Sequence, residues 1–243
     1  MNGAVLPTGL TVAQTDRLAD RMLEHCHRQG VLPAAPGDLW EGYHRLRSRL
    51  YASFHVPDTH LTPLAARLLH AVAALHRPSR VAVLGCYAGN LLAWVAGPGF
   101  GPGAGYEGVT AIGLDVDPDA VALAEQNLRR AGYRSGARAV RADAYDASVL
   151  AAEGPWDLVL LDVDEPGARK AGYHRVLERW APHLSPGAVV VAHDVKHPAF
   201  GRDLGRWADD VRALGAVATT TLPVDECGLE VSRFGDRSPA QPS

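Results

Sequence analysis

The sequence predicts an α/β fold in which a mostly parallel sheet carries helices on both faces. Three observations lead to that prediction. From Val81 onward, short apolar runs alternate with stretches of helical periodicity, as successive strand–helix units do. The first run, 81–84, breaks at Gly85-Cys86-Tyr87-Ala88-Gly89 and continues with helical spacing from Asn90, so a buried strand turns on two glycines into a helix N-terminus. The last two runs, 216–222 and 228–234, are separated only by Pro223-Val224-Asp225-Glu226-Cys227, which predicts a closing hairpin and one antiparallel strand.

The elements follow in order. A helix is expected over 11–29, closed by Gly30, and a connector with Pro33 and Pro36 follows. Asp38 is expected to cap a helix carrying Leu39, Tyr43, Leu46, Leu50 and Phe54 on one stripe. Thr62-Pro63 starts a third helix, which Pro78 ends. Strands are predicted near 81–85, 109–114, 138–142, 157–162 and 187–193, with helices near 90–96, 118–131, 146–152, 169–182 and 202–214. The Gly/Pro-rich segment 97–105 comes after a helix rather than a strand, so it is expected to be a flexible surface loop and not a phosphate cradle. The chain therefore divides into an N-terminal helical extension (1–61), a main domain (62–234) and a polar tail expected to be disordered (235–243). The extension is expected to pack on the main domain and to help lid the active site.

Composition excludes several classes. A net charge of −3 argues against a nucleic-acid footprint or binding to an anionic membrane. No apolar run approaches spanning length, and the N-terminus lacks a signal-peptide pattern, so a soluble cytoplasmic protein is expected. Cys26, Cys86 and Cys227 are too few and too scattered for a disulfide framework or a structural zinc site. Of 24 basic residues only Lys170 and Lys196 are lysine.

Ligands of open α/β sheets bind beyond the carboxyl ends of the strands. At those ends stand the turn Gly85–Gly89, then Asp115, Asp143, Asp162 and the pair His193-Asp194. The turn is neither Gly-x-Gly-x-x-Gly nor Gly-Lys-Ser/Thr, which argues against NAD, FAD and a phosphate loop. Asp115 can accept the two hydroxyls of an adenosine ribose, whereas Asp117, just before Pro118, is the expected helix cap. Asp143 can accept from an adenine amino group or simply cap the helix expected after it. Asp162, His193 and Asp194 can hold a divalent cation, or His193 can act as a general base oriented by a carboxylate. Tyr51, His55, Thr59, His60 and His197 are expected near the pocket mouth as candidate substrate contacts.

The runs Val81–Gly89, Gly113-Leu-Asp-Val-Asp117, Ala124-Glu-Gln-Asn127, Ala142-Asp-Ala144, Trp156–Asp162, Leu184-Ser-Pro-Gly187 and Leu222–Gly228, in that order, resemble the class I S-adenosylmethionine-dependent methyltransferases. They are most similar to the branch with the catechol and caffeoyl-CoA O-methyltransferases, and also resemble antibiotic-tailoring methyltransferases. The resemblance implies a Rossmann-like seven-stranded sheet ordered 3-2-1-4-5-7-6 with strand 7 antiparallel. It implies S-adenosylmethionine as cofactor. Gly85, Cys86, Tyr87, Ala88, Gly89 and Asn90 would then hold its methionine end, Asp115 and Val116 the ribose, and Asp143 and Ala144 the adenine, with Asp162 nearby. Metal-dependent members end the fifth strand with Asp-Asn, where this chain has His193-Asp194, so Mg2+ on Asp162, His193 and Asp194 is an expectation the departure weakens. The expected activity is O-methylation of a small molecule, in natural-product metabolism, by a possible homodimer. Metal-independent N- or C-methylation, an NAD-dependent oxidoreductase and a non-catalytic cofactor-binding partner are the alternatives.

Overall fold

A computed structural model describes residues 10–57, 61–165 and 167–235. The central strand is β1 (Arg80–Leu84), flanked in parallel by β2 (Thr110–Asp115) and β4 (Trp156–Leu161). Beyond β2 lies β3 (Ala137–Arg141), and beyond β4 lies β5 (Leu184–His193), both parallel. The hairpin of β6 (Ala216–Leu222) and β7 (Leu229–Phe234) adds β7 antiparallel to β5. The order is β3-β2-β1-β4-β5-β7-β6, as the resemblance implied.

Both faces of the strands are buried, and alternation divides them between two cores. Val81, Val83, Leu158, Leu160, Val189 and Val191 face one core. Ala82, Leu84, Val159, Leu161, Val190 and Ala192 face the other. The first core is covered by α1 (Val12–Arg28), α2 (Leu39–Ser53), α3 (Pro63–His76), α4 (Asn90–Phe100) and α5 (Pro118–Ala131). The second is covered chiefly by α6 (Tyr173–Trp180), Leu204 of α7 (Gly201–Leu204) and α8 (Trp207–Ala213). The N-terminal helices are thus part of the main core. Arg67 of α3 is almost fully buried, and its Nε lies 2.6 Å from Asp16 of α1. The same guanidinium donates to the Tyr43 hydroxyl of α2.

Several elements differ from expectation for identifiable reasons. The segment 97–105 is not all loop. Gly97, Pro98, Gly99 and Phe100 extend α4 and are buried, because a side chain at Gly97 would strike Leu46 and one at Gly99 would strike the Tyr106 ring. Asp38 stands at the start of α2 but makes no capping bond, its backbone lying outside the extended region a cap needs. The helix expected over 146–152 is one 3-10 turn, Ala147–Leu150, and that over 202–214 splits at Gly205. The helix expected over 169–182 is α6 flanked by 3-10 turns at Lys170–Gly172 and Ala181–His183. Thr11, Thr62 and Asp117 cap α1, α3 and α5 through their side chains. No described helix is long and apolar enough to cross a membrane.

Candidate active site

The carboxyl ends of β1 to β4 are laced into one rim. Main-chain N–H groups of Gly85 and Cys86 donate to Leu114 O, that of Asp162 to Leu84 O, and that of Ala142 to Asp115 O. At Gly85, with φ +83, a Cβ would stand 2.4 Å from Asp162 O, so only glycine lets the turn pass this close to β4. Above the rim opens a cleft of about 650 Å³, a volume typical of small-molecule sites.

Gly85, Cys86, Tyr87, Asn90, Asp115, Val116, Asp143, Ala144, Asp162, His193 and Asp194 all line the cleft. Ala88 and Gly89 do not. Ala88 is buried beneath the turn, its carbonyl accepting from the Asn127 amide, and Gly89 packs toward Ala124 of α5. Asn127 also bonds both the N–H and the carbonyl of His55, tying the glycine turn to the linker before α3. Leu61 is the only described residue of the N-terminal extension that reaches the cleft. Tyr51 is exposed under the Arg47 guanidinium, and neither it, His55 nor His197 lines the cleft. Thr59 and His60 lie outside the described residues.

Asp115 is pre-set on the wall. Its Oδ2 accepts from Tyr87 N at 2.8 Å and its Oδ1 from Asp117 N at 3.1 Å. Each oxygen keeps lone-pair capacity for a further donor, as a vicinal diol requires. Asp143 accepts from Tyr145 N, so it stabilises a local turn while still facing the cleft. Cys86 is held as a neutral thiol, burial driving its pKa far above the usual range. Six carboxyl residues line the cleft (Asp115, Asp143, Asp162, Asp164, Glu165, Asp194), against Lys170 and His193. That field favours a cationic ligand and opposes a pyrophosphate. A turn of close-approaching backbone, a diol acceptor and an acidic wall together fit S-adenosylmethionine, a sulfonium cation.

Where β4 and β5 end, the cleft holds a charged cluster. His193 Nδ1 lies 3.3 Å from Asp194 Oδ1 and 3.5 Å from Asp162 Oδ2. These are ion-pair distances, and neither ring nitrogen makes a hydrogen bond. Burial alone would lower the imidazole pKa, but the Asp162 carboxylate, helped by Asp194, outweighs it and raises the pKa to about 9. Burial pushes Asp162 up, and the opposing pull of His193 and Lys170 leaves it below its ordinary value. The Tyr173 hydroxyl lies within 3.5 Å of Asp162 Oδ1 and 3.3 Å of the Leu161 and His193 main-chain oxygens. Asp194 holds a left-handed backbone, φ +65, which an ordinary residue keeps only where its surroundings compel it.

Lys170 is the residue sequence reasoning missed. Its ammonium lies 2.8 Å from Asp162 Oδ1 and 3.0 Å from Asp194 Oδ2, and its side chain is 4% exposed. The residues expected to hold Mg2+ are therefore already paired to an internal cation and do not fit a second one. The ligand atoms of His193, Asp194 and Cys227 do lie within 4.8 Å of one another. There, burial and the neighbouring carboxylates push the Cys227 thiol up to about 12, and only the thiolate is a good metal ligand.

Residues 82–195 match a family described as a methyltransferase domain. The catechol O-methyltransferase of Niastella koreensis is 28% identical over 144 residues, covering 58% of this chain and 60% of that one. The catechol O-methyltransferase of Mycobacterium tuberculosis is 27% identical over 178 residues, 73% and 74% of the two chains. The chain thus spans somewhat under two thirds of the first relative. The Podospora anserina methyltransferase PaMTH1, solved with S-adenosylhomocysteine bound, shares the fold at a TM-score of 0.61 and 19% identity, covering 97% of this chain and 100% of that one. In fold, domain match and sequence likeness alike, this chain is similar to the class I S-adenosylmethionine-dependent methyltransferases, catechol O-methyltransferases among them.

Proposed function

We propose that the protein methylates a phenolic hydroxyl of a small molecule, in specialised metabolism, with His193 taking the acceptor's proton. The observation that carries this reading is the convergence of His193 with two carboxylates where β4 and β5 end, in the cleft that Asp115 and the glycine turn also line. When bound, S-adenosylmethionine supplies an activated methyl group and leaves as a neutral thioether. The chain's own work is alignment, which can supply about 7–11 kcal/mol of such a barrier, and proton management. Gly85, Cys86, Tyr87 and Asn90 face the methionine end, Asp115 and Val116 bind the ribose, and Asp143 and Ala144 flank the adenine. Asp162 and Asp194 hold the His193 ring and balance the charge it gains.

The proton step suits a phenol. A phenol titrates near 10, close to the value of about 9 that the neighbouring carboxylates impose on His193. Transfer between near-matched groups is efficient. The two catechol O-methyltransferases that resemble this chain support the same acceptor class.

The test is turnover with S-adenosylmethionine and a panel of catechols, simple phenols and amines, product and S-adenosylhomocysteine being followed by chromatography. A methyl ether is expected. His193→Gln should lower kcat by about 10²–10⁴-fold while leaving S-adenosylmethionine affinity intact. The wild-type rate should climb as pH approaches about 9 and the imidazolium gives up its proton, and that climb should vanish in the variant. N- or C-methyl products alone, or thermal stabilisation by NADH and not by S-adenosylhomocysteine, would overturn the reading.

A further inference from the structure

The chain builds a dedicated loop to deliver Lys170. After β4 the backbone bridges Glu165 to Arg169 by a reciprocal pair, Glu165 N to Arg169 O at 3.0 Å and Arg169 N to Glu165 O at 2.6 Å. Arg169 adopts φ +48, ψ −115, a conformation that strains a non-glycine residue. Its guanidinium is tied to Ala199 O and stacks over Phe200. The Lys170 ammonium lies 5.5 Å from the centre of the Tyr173 ring and 5.7 Å from that of Phe200. The strained turn and the two aromatic walls leave the long side chain one direction, inward. There it spans the carboxylates that end β4 and β5.

Two of the three ammonium protons are used by Asp162 and Asp194, and no other described residue accepts the third. Lys170 nevertheless lines the cleft beside His193. The charges are paired by geometry: the two carboxylates face the ammonium and the His193 ring. A divalent ion added beside the ammonium would leave excess positive charge between the two carboxylates and a sulfonium, and uncompensated buried charge is strongly disfavoured.

We infer that Lys170 is the resident cation of the acceptor site: it occupies the position between Asp162 and Asp194 that a divalent metal would need, its free N–H is the donor to the acceptor oxygen, and methyl transfer proceeds without metal. The second of these roles rests on the hydroxyl-methylation reading above; the exclusion of metal does not.

Binding of Mn2+, followed by electron paramagnetic resonance and calorimetry on the full chain, separates the two. Wild type should show no saturable Mn2+ site, whereas Lys170→Ala should acquire one that disappears again in Lys170→Ala/Asp162→Asn. Lys170→Met, which keeps the stem, serves the same purpose should the alanine variant fail to fold. In turnover, wild type should be indifferent to EDTA. Both Lys170 variants should lose about 10²–10³-fold in kcat, the usual cost of deleting one oxyanion donor, and Mg2+ should partly rescue Lys170→Ala. Stoichiometric Mn2+ in wild type, or Zn2+ held through His193, Asp194 and Cys227, would overturn the inference. So would a Lys170→Ala protein that folds and still binds no metal. If metal exclusion holds while no hydroxyl is methylated, the acceptor reading has failed and the resident cation has not.

Discussion

At the scale of single residues, the groups that end strands are the legible ones. Asp115, Asp162, His193 and Asp194 each close an apolar run, so the rule that sheets bind ligands at their carboxyl edge points to them from sequence alone, and all four line the cleft. Lys170 lies eight residues beyond the same edge, and nothing local aims it there. Its direction comes from the Glu165–Arg169 bridge and from Phe200, thirty residues downstream. In the sequence Lys170 stands out only as one of two lysines among 24 basic residues, which does not say where its side chain goes. Ala88 and Gly89 stand in the same motif as Gly85 but do not line the cleft: a motif read as a block does not say which members face in. Asp115 carries the most direct prediction at this scale. Its carboxylate is anchored by Tyr87 N and Asp117 N, so a bound diol would meet a pre-oriented acceptor. Asp115→Ala should weaken S-adenosylmethionine binding by on the order of 2–5 kcal/mol, the cost typical of truncating a buried charged partner. Calorimetry showing unchanged affinity would place the ribose elsewhere.

At the scale of elements, strand identity was legible because buried parallel strands leave near-continuous apolar runs. Helix continuity was not, since it depends on partners distant in sequence. The Gly97–Gly99 stretch is helical and packed where Leu46 and Tyr106 occupy the space that side chains would fill. Equally hidden was the clamp that makes α1 and α2 part of the core. Arg67 pairs with Asp16, donates to Tyr43 Oη and to Pro63 O, and lies 4.7 Å over the Tyr43 ring. Asp16 in turn meets His44 at 2.9 Å. Removing one partner of such a pair strands the other's charge away from water. Asp16→Ala should therefore cost about 3–5 kcal/mol of stability, read as a lowered midpoint in urea at unchanged slope. Asp16→Leu combined with Arg67→Met should recover a large part of that loss. A loss below about 1 kcal/mol for Asp16→Ala, the range of a surface ion pair, would mean that solvent already screens the clamp.

At the scale of the whole molecule, the cleft contains a charged knot between the sheet and the second helical layer, with the ends of β4 and β5 supplying the anions and the Lys170 turn before α6 the ammonium. Folding is therefore linked to protons at this one place. His193 binds its proton more tightly in the folded chain, with a pKa of about 9 against an ordinary 6.5. The imidazolium's contribution is fully present below about pH 6.5, where folded and unfolded chains are both protonated, and it is lost as pH rises through about 9. Asp162 shifts the other way, below its ordinary value, so its contribution is present above that value and lost as pH falls through the lower, folded one. Both contributions coexist only between the two limits. Stability measured by urea unfolding should hold from mildly acidic to neutral pH and decline toward pH 9. The His193 part of that decline is on the order of 3 kcal/mol, from the shift at about 1.4 kcal/mol per unit. His193→Gln should start lower in mild acid and lack this alkaline component, so the two curves converge as pH approaches 9. Parallel curves across that range would show that the knot does not hold the imidazole in its charged form.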